Sequence, residues 1–163
     1  KDWTTPAKHQ GPCGSCWAFA ALGVFESMIK IREKNADLNP DLSEQYILSC
    51  LPSSGSCYGG NAFKALQNIK ETTPEGNYHN GVIPESCMKY EADDDIPCSY
   101  KCENWVELLV PLLDYGYVKS NDSTNYRDVI KTQILQNGPV VTAMKATQFF
   151  KIYGALVHNP NAY

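Results

Sequence analysis

The stretch Gln10-Gly11-Pro12-Cys13-Gly14-Ser15-Cys16-Trp17-Ala18-Phe19 decides how the rest of this 163-residue chain is interpreted. Its first half is rich in glycine, proline and serine, which favour tight turns. After Cys16 the turn formers stop and an apolar run continues to about Ile31. Apolar residues recur there at three- and four-residue steps, which is helical periodicity: Trp17, Ala21, Val24, Phe25 and Met28. The pattern predicts a turn followed by a helix from about Ser15 to Arg32.

This placement gives the Cys16 thiol a specific chemistry. The unpaired N–H groups and the dipole of a helix N-terminus favour an anion, so the thiol should ionise more easily than usual. A thiolate is a strong nucleophile, and a backbone N–H beside it can join the Gln10 amide in binding an oxyanion. The alternatives are an inert buried cysteine, a disulfide partner, or a metal site that Cys13 and Cys16 would share without a second ligand pair.

The same ten residues resemble the nucleophile signature of the papain-like cysteine proteases, Cys-Gly-Ser/Ala-Cys-Trp/Tyr. The family also has a glutamine six residues before the cysteine, where this chain has Gln10. The resemblance implies that Cys16 is the nucleophile and Gln10 the oxyanion-binding side chain. The implied reaction is peptide hydrolysis through an acyl-thioester, with no cofactor and no metal. A peptide or protein would be the substrate.

Seven cysteines leave one thiol over if the other six pair. Six cysteines allow 15 pairings, and their positions alone do not choose among them. The family resemblance implies the pairs Cys13–Cys57, Cys50–Cys98 and Cys87–Cys102. Three disulfides indicate the secretory pathway, ending in a lysosomal, vacuolar or extracellular compartment.

The resemblance also implies an α+β fold with two lobes. A helical lobe would span residues 8–102, and an incomplete, antiparallel, barrel-like β lobe would consist of residues 1–7 and 103–163. In the family, the Gly-Gly segment after the second disulfide cysteine pairs with the substrate backbone, which here implies Gly59, Gly60 and the adjacent Asn61. A plain turn is the alternative interpretation. Ala143 falls where the family lines its main specificity pocket.

Further elements are predicted from local patterns. Ser43 is a candidate N-cap for a short helix that ends near Cys50. The sequence predicts two more helices, Asn61–Lys70 and Asn125–Gln136, and Gly138-Pro139 should end the second. Apolar runs predict strands at Val106–Val118, Val140–Met144 and from Phe149 to Val157. The acidic cluster Glu91, Asp93, Asp94 and Asp95 lacks the ligand spacing of a calcium loop and is interpreted as a solvated loop.

A thiol protease needs a base, and the family uses a histidine oriented by an asparagine. The chain has three histidines, His9, His79 and His158. His9 is expected either to support the residues that touch the substrate or to be exposed, and His79 is expected to be exposed. His158 lies inside the family's spacing window, but Asn159-Pro160 follows it, and proline fits poorly in a central strand. We therefore expect the base and the asparagine on a C-terminal light chain or a missing segment. A non-catalytic, peptide-binding or structural relative is the rival hypothesis.

Composition limits the other partners. A net charge of −4 gives no sign of nucleic-acid binding. No apolar run approaches the roughly 20 residues of a membrane span, so no membrane partner is expected. Asn121-Asp122-Ser123 is a glycosylation sequon. The family resemblance further implies a propeptide and cystatin-like inhibitors as partners.

Overall fold

The computed structural model describes residues 2–71, 80–119 and 125–144. Its helices are α1 (Cys16–Arg32), α2 (Glu44–Cys50), α3 (Ala62–Glu71) and α4 (Tyr126–Asn137). A hairpin of two short antiparallel strands, β1 (Gly55–Ser56) and β2 (Gly59–Gly60), lies between α2 and α3. In this hairpin Gly55 pairs with Gly60 and Ser56 with Gly59. Within the described residues, no helix is long and apolar enough to cross a membrane.

Helix α1 is the centre of the core and begins within one residue of its predicted start. One of its faces is buried against α2 and α3, and the core cluster includes Trp17, Ala21, Leu22 and Phe25 from α1. Met28, which fits the same periodicity, is 36% exposed because the buried face turns toward Glu26 and Lys30 instead. The apolar spacing therefore predicted the helix but only part of its buried face.

Helix α2 has the predicted cap. The Ser43 hydroxyl accepts the backbone N–H of Tyr46 at 3.0 Å and donates to the Met88 carbonyl at 2.5 Å. Both Ser43 and Tyr46 are buried. The first bond satisfies one of the N–H groups that a helix start leaves without a partner.

Three disulfides cross-link the chain: Cys13–Cys57, Cys50–Cys98 and Cys87–Cys102. They are the same pairs that the family resemblance implies. Cys50 is the last residue of α2, and the other five cysteines lie outside the four α-helices. All seven cysteines lie in the described ranges, and Cys16 is the one left free.

A partly buried charge cluster, absent from the sequence-based predictions, ties the N-terminal segment to α1 and α2: Glu26 and Glu44 are buried, whereas Asp41 is exposed. Lys8 Nζ lies 2.9 Å from Glu26, 3.0 Å from Glu44 and 2.7 Å from Asp41. Glu26 also accepts the backbone N–H of Leu42 at 2.8 Å. Burial acts to lower the pKa of Lys8, but hydrogen bonds to Asp41 and Glu26 outweigh it and raise that pKa. Burial raises the pKa of Glu44 to about 7 even though Lys8 pulls the other way.

The strand predictions after Cys102 were wrong over the described residues. Residues 103–108 form turns, and in 106–118 only Val110 makes a bridge, to Val82, with N–H···O distances of 2.8 and 3.0 Å. Residues 140–144 form no strand and run from half-buried to exposed. An apolar run becomes a strand only when another strand pairs with it, and Pro111 cannot donate to a ladder. The β-rich lobe over 1–7 and 103–163 stays a prediction.

Helix α4 ends as predicted. Gly138 has a φ of 98°, in the left-handed region, and its N–H donates to the Ile134 carbonyl at 3.1 Å. No residue of this helix is fully buried.

Candidate active site

The turn that precedes α1 is held by its own backbone and by the side chain of Gln10. The Gln10 amide Nε2 donates to the Cys13 carbonyl at 2.8 Å. Gly11 has a φ of 62°, a conformation that favours glycine. His9 is exposed, as expected, and its Nδ1 accepts the Gly11 N–H at 3.0 Å. These contacts fold residues 9–13 back on themselves just before the helix.

Cys16 is the first residue of α1, and it is exposed. The preceding Ser15 makes no side-chain cap, and its carbonyl accepts the N–H groups of Ala18 and Phe19 at 2.8 and 3.3 Å. The free thiol thus lies at an uncapped helix N-terminus, as the sequence predicts. Cys13 is bonded to Cys57, so the alternative of a metal shared by Cys13 and Cys16 is wrong. Among the described residues, no cluster of three or more metal-ligating side chains could hold a metal ion.

The β1–β2 hairpin is fixed against this turn. Besides the Cys13–Cys57 disulfide, the Gly14 N–H donates to the Cys57 carbonyl at 2.7 Å. The Trp17 indole N–H donates to the Ser56 carbonyl at 3.2 Å. A Cβ on Gly60 would lie 2.5 Å from the Trp17 ring, so the indole packs directly on the hairpin backbone.

The outer strand of the hairpin is open. Gly59, Gly60 and Asn61 are exposed, and among the described residues β2 pairs with β1 alone. The Asn61 side chain accepts the Lys64 N–H at 3.0 Å, at the start of α3. One edge of β2 therefore remains available to an extended chain, close to the turn that carries Cys16.

The acidic loop contacts the hairpin at Cys57. Asp94 accepts the Cys57 N–H at 2.8 Å, while Glu91, Asp93 and Asp95 are exposed. This agrees with the interpretation as a solvated loop, except that Asp94 has a structural role that the sequence did not predict.

Sequence reasoning missed Tyr90. Its hydroxyl lies 2.8 Å from the Gln10 carbonyl oxygen and 2.5 Å from the Ser15 hydroxyl. Its ring meets Phe19 edge to face, with centroids 4.9 Å apart. A separation of 75 and 80 residues from its partners leaves no local sequence signal for these contacts.

In the part of the chain that the structure describes, there is no contact between the remaining predicted residues and this site. Ala143 is described and exposed, in the segment after α4. His79, His158, the Asn121 sequon and the strand predicted from Phe149 to Val157 lie outside the described residues.

Comparisons with known proteins agree with the resemblance in the sequence. The family described as "Papain family cysteine protease" matches residues 1–162. Cathepsin J from Rattus norvegicus is 34% identical over 99% of this chain and 45% of its own length. Procathepsin L from Mus musculus is 32% identical, over 99% of this chain and 44% of its own length.

A solved structure supports the same fold. The digestive procathepsin L2 proteinase of Tenebrio molitor superposes with a TM-score of 0.72 and 27% identity, over 91% of this chain and 42% of that structure. The chain thus spans a little under half the length of the curated relatives it matches. The three disulfides agree with the expected secretory route to a lysosomal, vacuolar or extracellular compartment. On the match over residues 1–162, the chain belongs to the papain family of cysteine proteases and has its α+β fold.

Proposed function

We propose that the protein is a cysteine peptidase whose nucleophile is Cys16. The observation that carries the proposal is the single free thiol among seven cysteines, exposed at the first residue of α1. A thiolate there attacks a peptide carbonyl carbon to form a tetrahedral oxyanion. The C–N bond then breaks, the amine leaves with a proton, and a water molecule hydrolyses the acyl-thioester to release the acid and the thiol.

Gln10 stabilises the oxyanion in this proposal, together with the backbone N–H of Cys16. A primary amide has two N–H donors. One of them is used on the Cys13 carbonyl, which fixes the orientation of the amide and leaves the other free to donate. A donor that is already oriented loses little freedom when charge develops, which is what makes such a site effective.

The open edge of β2 binds the substrate backbone. An extended peptide can add to Gly59 and Gly60 as a third strand, with Asn61 at the end of the edge. The absence of side chains at the two glycines lets the peptide backbone approach closely. By family resemblance, Ala143 lines the main specificity pocket, in a cleft between a helical lobe of residues 8–102 and a β-rich lobe of residues 1–7 and 103–163.

The general base and its orienting asparagine would come from polypeptide beyond these 163 residues, on a light chain or a continuing segment. His9 already accepts the Gly11 N–H, and Pro160 argues against a strand that begins at His158. The curated relatives, more than twice as long as this chain, support the proposal. The name procathepsin among them supports a propeptide, and we extend the proposal to cystatin-like inhibitors and to glycosylation at Asn121.

The test compares the full-length protein with its Cys16→Ala variant on a generic peptide substrate. We expect turnover by the first and none by the second, and iodoacetamide should label Cys16 before any other cysteine. The rival hypothesis, a non-catalytic relative that binds peptides, predicts binding of the peptide without turnover in both proteins. Peptide mapping that found Cys16 in a disulfide would refute the nucleophile assignment.

A second experiment locates the base. Residues 1–163 are expressed alone and assayed beside the His158→Ala variant. We expect no turnover until a C-terminal fragment with the family histidine and asparagine is added. Normal turnover by residues 1–163 that His158→Ala abolishes would instead make His158 the base.

A further inference from the structure

The hydroxyl of Tyr90 lies at the junction between the residue proposed to bind the oxyanion and the residue before the nucleophile. It is 2.8 Å from the Gln10 carbonyl oxygen and 2.5 Å from the Ser15 hydroxyl. Ser15 is fully buried, and Cys16 follows it directly. One phenol therefore connects the two ends of the turn whose relative position sets the distance between amide and thiol.

The direction of each hydrogen bond follows from the donors present. A phenol has one hydrogen, and a carbonyl oxygen can only accept. Tyr90 therefore donates to Gln10, so the Ser15 hydroxyl must donate to the Tyr90 oxygen. Burial raises the pKa of Tyr90, although the Ser15 hydrogen bond lowers it in part, so the phenol keeps its proton at neutral pH.

Contacts on the remaining sides fix the tyrosine itself. Its backbone N–H donates to Glu85 Oε1 at 2.7 Å, and its ring and that of Phe19 in α1 meet edge to face. Two residues further on, a Cβ at Gly11 would lie 3.2 Å from the Cβ of Ala92, so the loop and the turn are in close contact. Tyr90 is thus held through its backbone, through its ring and through the loop that follows it.

We propose that Tyr90 is a positioning residue for the oxyanion site. Its hydroxyl fixes the backbone of Gln10 relative to Ser15, and thereby the Gln10 amide relative to the Cys16 thiol. This inference rests on the proposed peptidase function. In this proposal Tyr90 touches neither the substrate nor the reacting atoms. It sets the distance between the Gln10 amide and the Cys16 thiol.

The test uses Tyr90→Phe in the full-length chain, which keeps the ring and its Phe19 contact and removes only the hydroxyl. We expect kcat to fall about tenfold or more, because small displacements of catalytic groups are costly, while KM stays within about twofold. Affinity for a peptide aldehyde, which forms a hemithioacetal with its oxygen in the same site, should fall by a similar factor. The iodoacetamide rate of Cys16 should stay within about twofold, since the thiol itself is untouched.

Three further variants separate positioning from simple stability. Ser15→Ala keeps the Tyr90–Gln10 bond and should lose less activity than Tyr90→Phe. The double variant should lose no more than Tyr90→Phe alone, because the two hydroxyls act as one unit. Tyr115→Phe is the matched control: it removes an exposed hydroxyl that donates to Glu71 at 2.7 Å, and we expect unchanged kinetics.

The outcomes are distinct. An active wild type whose Tyr90→Phe variant keeps kcat and aldehyde affinity within twofold overturns the positioning role alone. A wild type that neither cleaves peptides nor binds the aldehyde overturns the proposed function, and the positioning role with it. A lower melting temperature of Tyr90→Phe with unchanged kinetics below that temperature would mean a purely structural role, and would also overturn the proposal.

Discussion

Gly14 and Gly60 lie where a side chain would collide with the atoms that join the hairpin to the active-site turn. A Cβ on Gly14 would be 2.5 Å from the Cys57 carbonyl oxygen, and one on Gly60 would be 2.5 Å from the Trp17 ring and 2.7 Å from the Ser54 carbonyl oxygen. Real Cβ atoms do not come so close, so glycine is required at both positions for steric reasons. Gly14 lets the active-site turn approach the Cys57 backbone, and Gly60 lets the Trp17 indole pack on the hairpin.

Gly60→Ala is therefore expected to destabilise the fold. Overpacking of this kind costs about 1–3 kcal/mol, because the Trp17 ring and the Ser54 backbone must move. Thermal unfolding of the variant should show a lower melting temperature. Gly116→Ala is the control, since a Cβ there has no neighbour within 4 Å. Equal melting temperatures for the two variants would mean that the hairpin accommodates the added Cβ without loss of stability.

The proposed role of Gln10 predicts a specific kinetic defect. An oxyanion donor acts in the transition state, so Gln10→Ala should lower kcat by about 10²–10³ with little change in KM. Steady-state kinetics on a peptide substrate measures both constants. Gln67→Ala removes a similar amide from the exposed face of α3, where it bonds Glu71, and should leave kcat unchanged. A loss below about tenfold for Gln10→Ala would reject the role.

How much of the site could be predicted depends on how local its signals are. Gln10, Cys16 and the two hairpin glycines fall within short motifs, so their types and spacing reveal them. Tyr90 and Asp94 reach the same site from a loop that lies 30 or more residues beyond the end of the hairpin. Their contacts depend on how the chain packs, which no local pattern encodes.

At the scale of elements, α1 was predictable from its apolar spacing and α2 from its N-cap, because both signals lie within the helix or next to it. Ser43 caps α2, and the apolar spacing of α1 matches its buried face at Trp17, Ala21 and Phe25. The strand predictions were wrong because a strand also needs a pairing partner, which local spacing does not reveal. The run around Val110 is apolar enough for a strand, but only its bridge to Val82 forms among the described residues. A helix satisfies its own hydrogen bonds, whereas a strand depends on a distant partner.

Helix α1 has a glycine, Gly23, in its interior, where glycine is less stabilising than alanine. A Cβ at this position would meet nothing within 4 Å. Gly23→Ala should therefore stabilise the protein by about 0.5–1 kcal/mol, because alanine loses less backbone entropy in a helix. Urea unfolding should show a higher midpoint with an unchanged slope. Gly14→Ala should shift the midpoint the other way, and a lower midpoint for Gly23→Ala would contradict this account of α1.

For the whole molecule, the charge cluster around Lys8 connects the N-terminal segment to two helices at once. One ammonium faces Glu26, Glu44 and Asp41, and the side chains of Glu26 and Glu44 are only 1% and 3% exposed. Because the Glu44 carboxyl group is buried and more negative than positive charge is buried here, its ionisation is unfavourable. The nearby Glu85 adds to this, because burial raises its pKa and its Oε2 has no partner among the described residues.

The cluster predicts that stability rises on mild acidification. The pKa of Glu44 is about 7 in the folded protein, against 4.5 for an ordinary glutamate, so the folded state binds more protons between those values. Its contribution to stability is complete below about pH 4.5 and is lost as the pH rises through about 7. Melting temperatures measured from pH 5 to 8 should therefore fall more steeply for the wild type than for Glu44→Gln, which cannot ionise. Glu103→Gln, at an exposed site, should keep the wild-type slope. Since Glu44→Gln also weakens the pairing with Lys8, the comparison uses the slope of melting temperature against pH and not the melting temperatures themselves. Parallel slopes for the wild type and Glu44→Gln would show that Glu44 is ionised in the folded protein throughout this range.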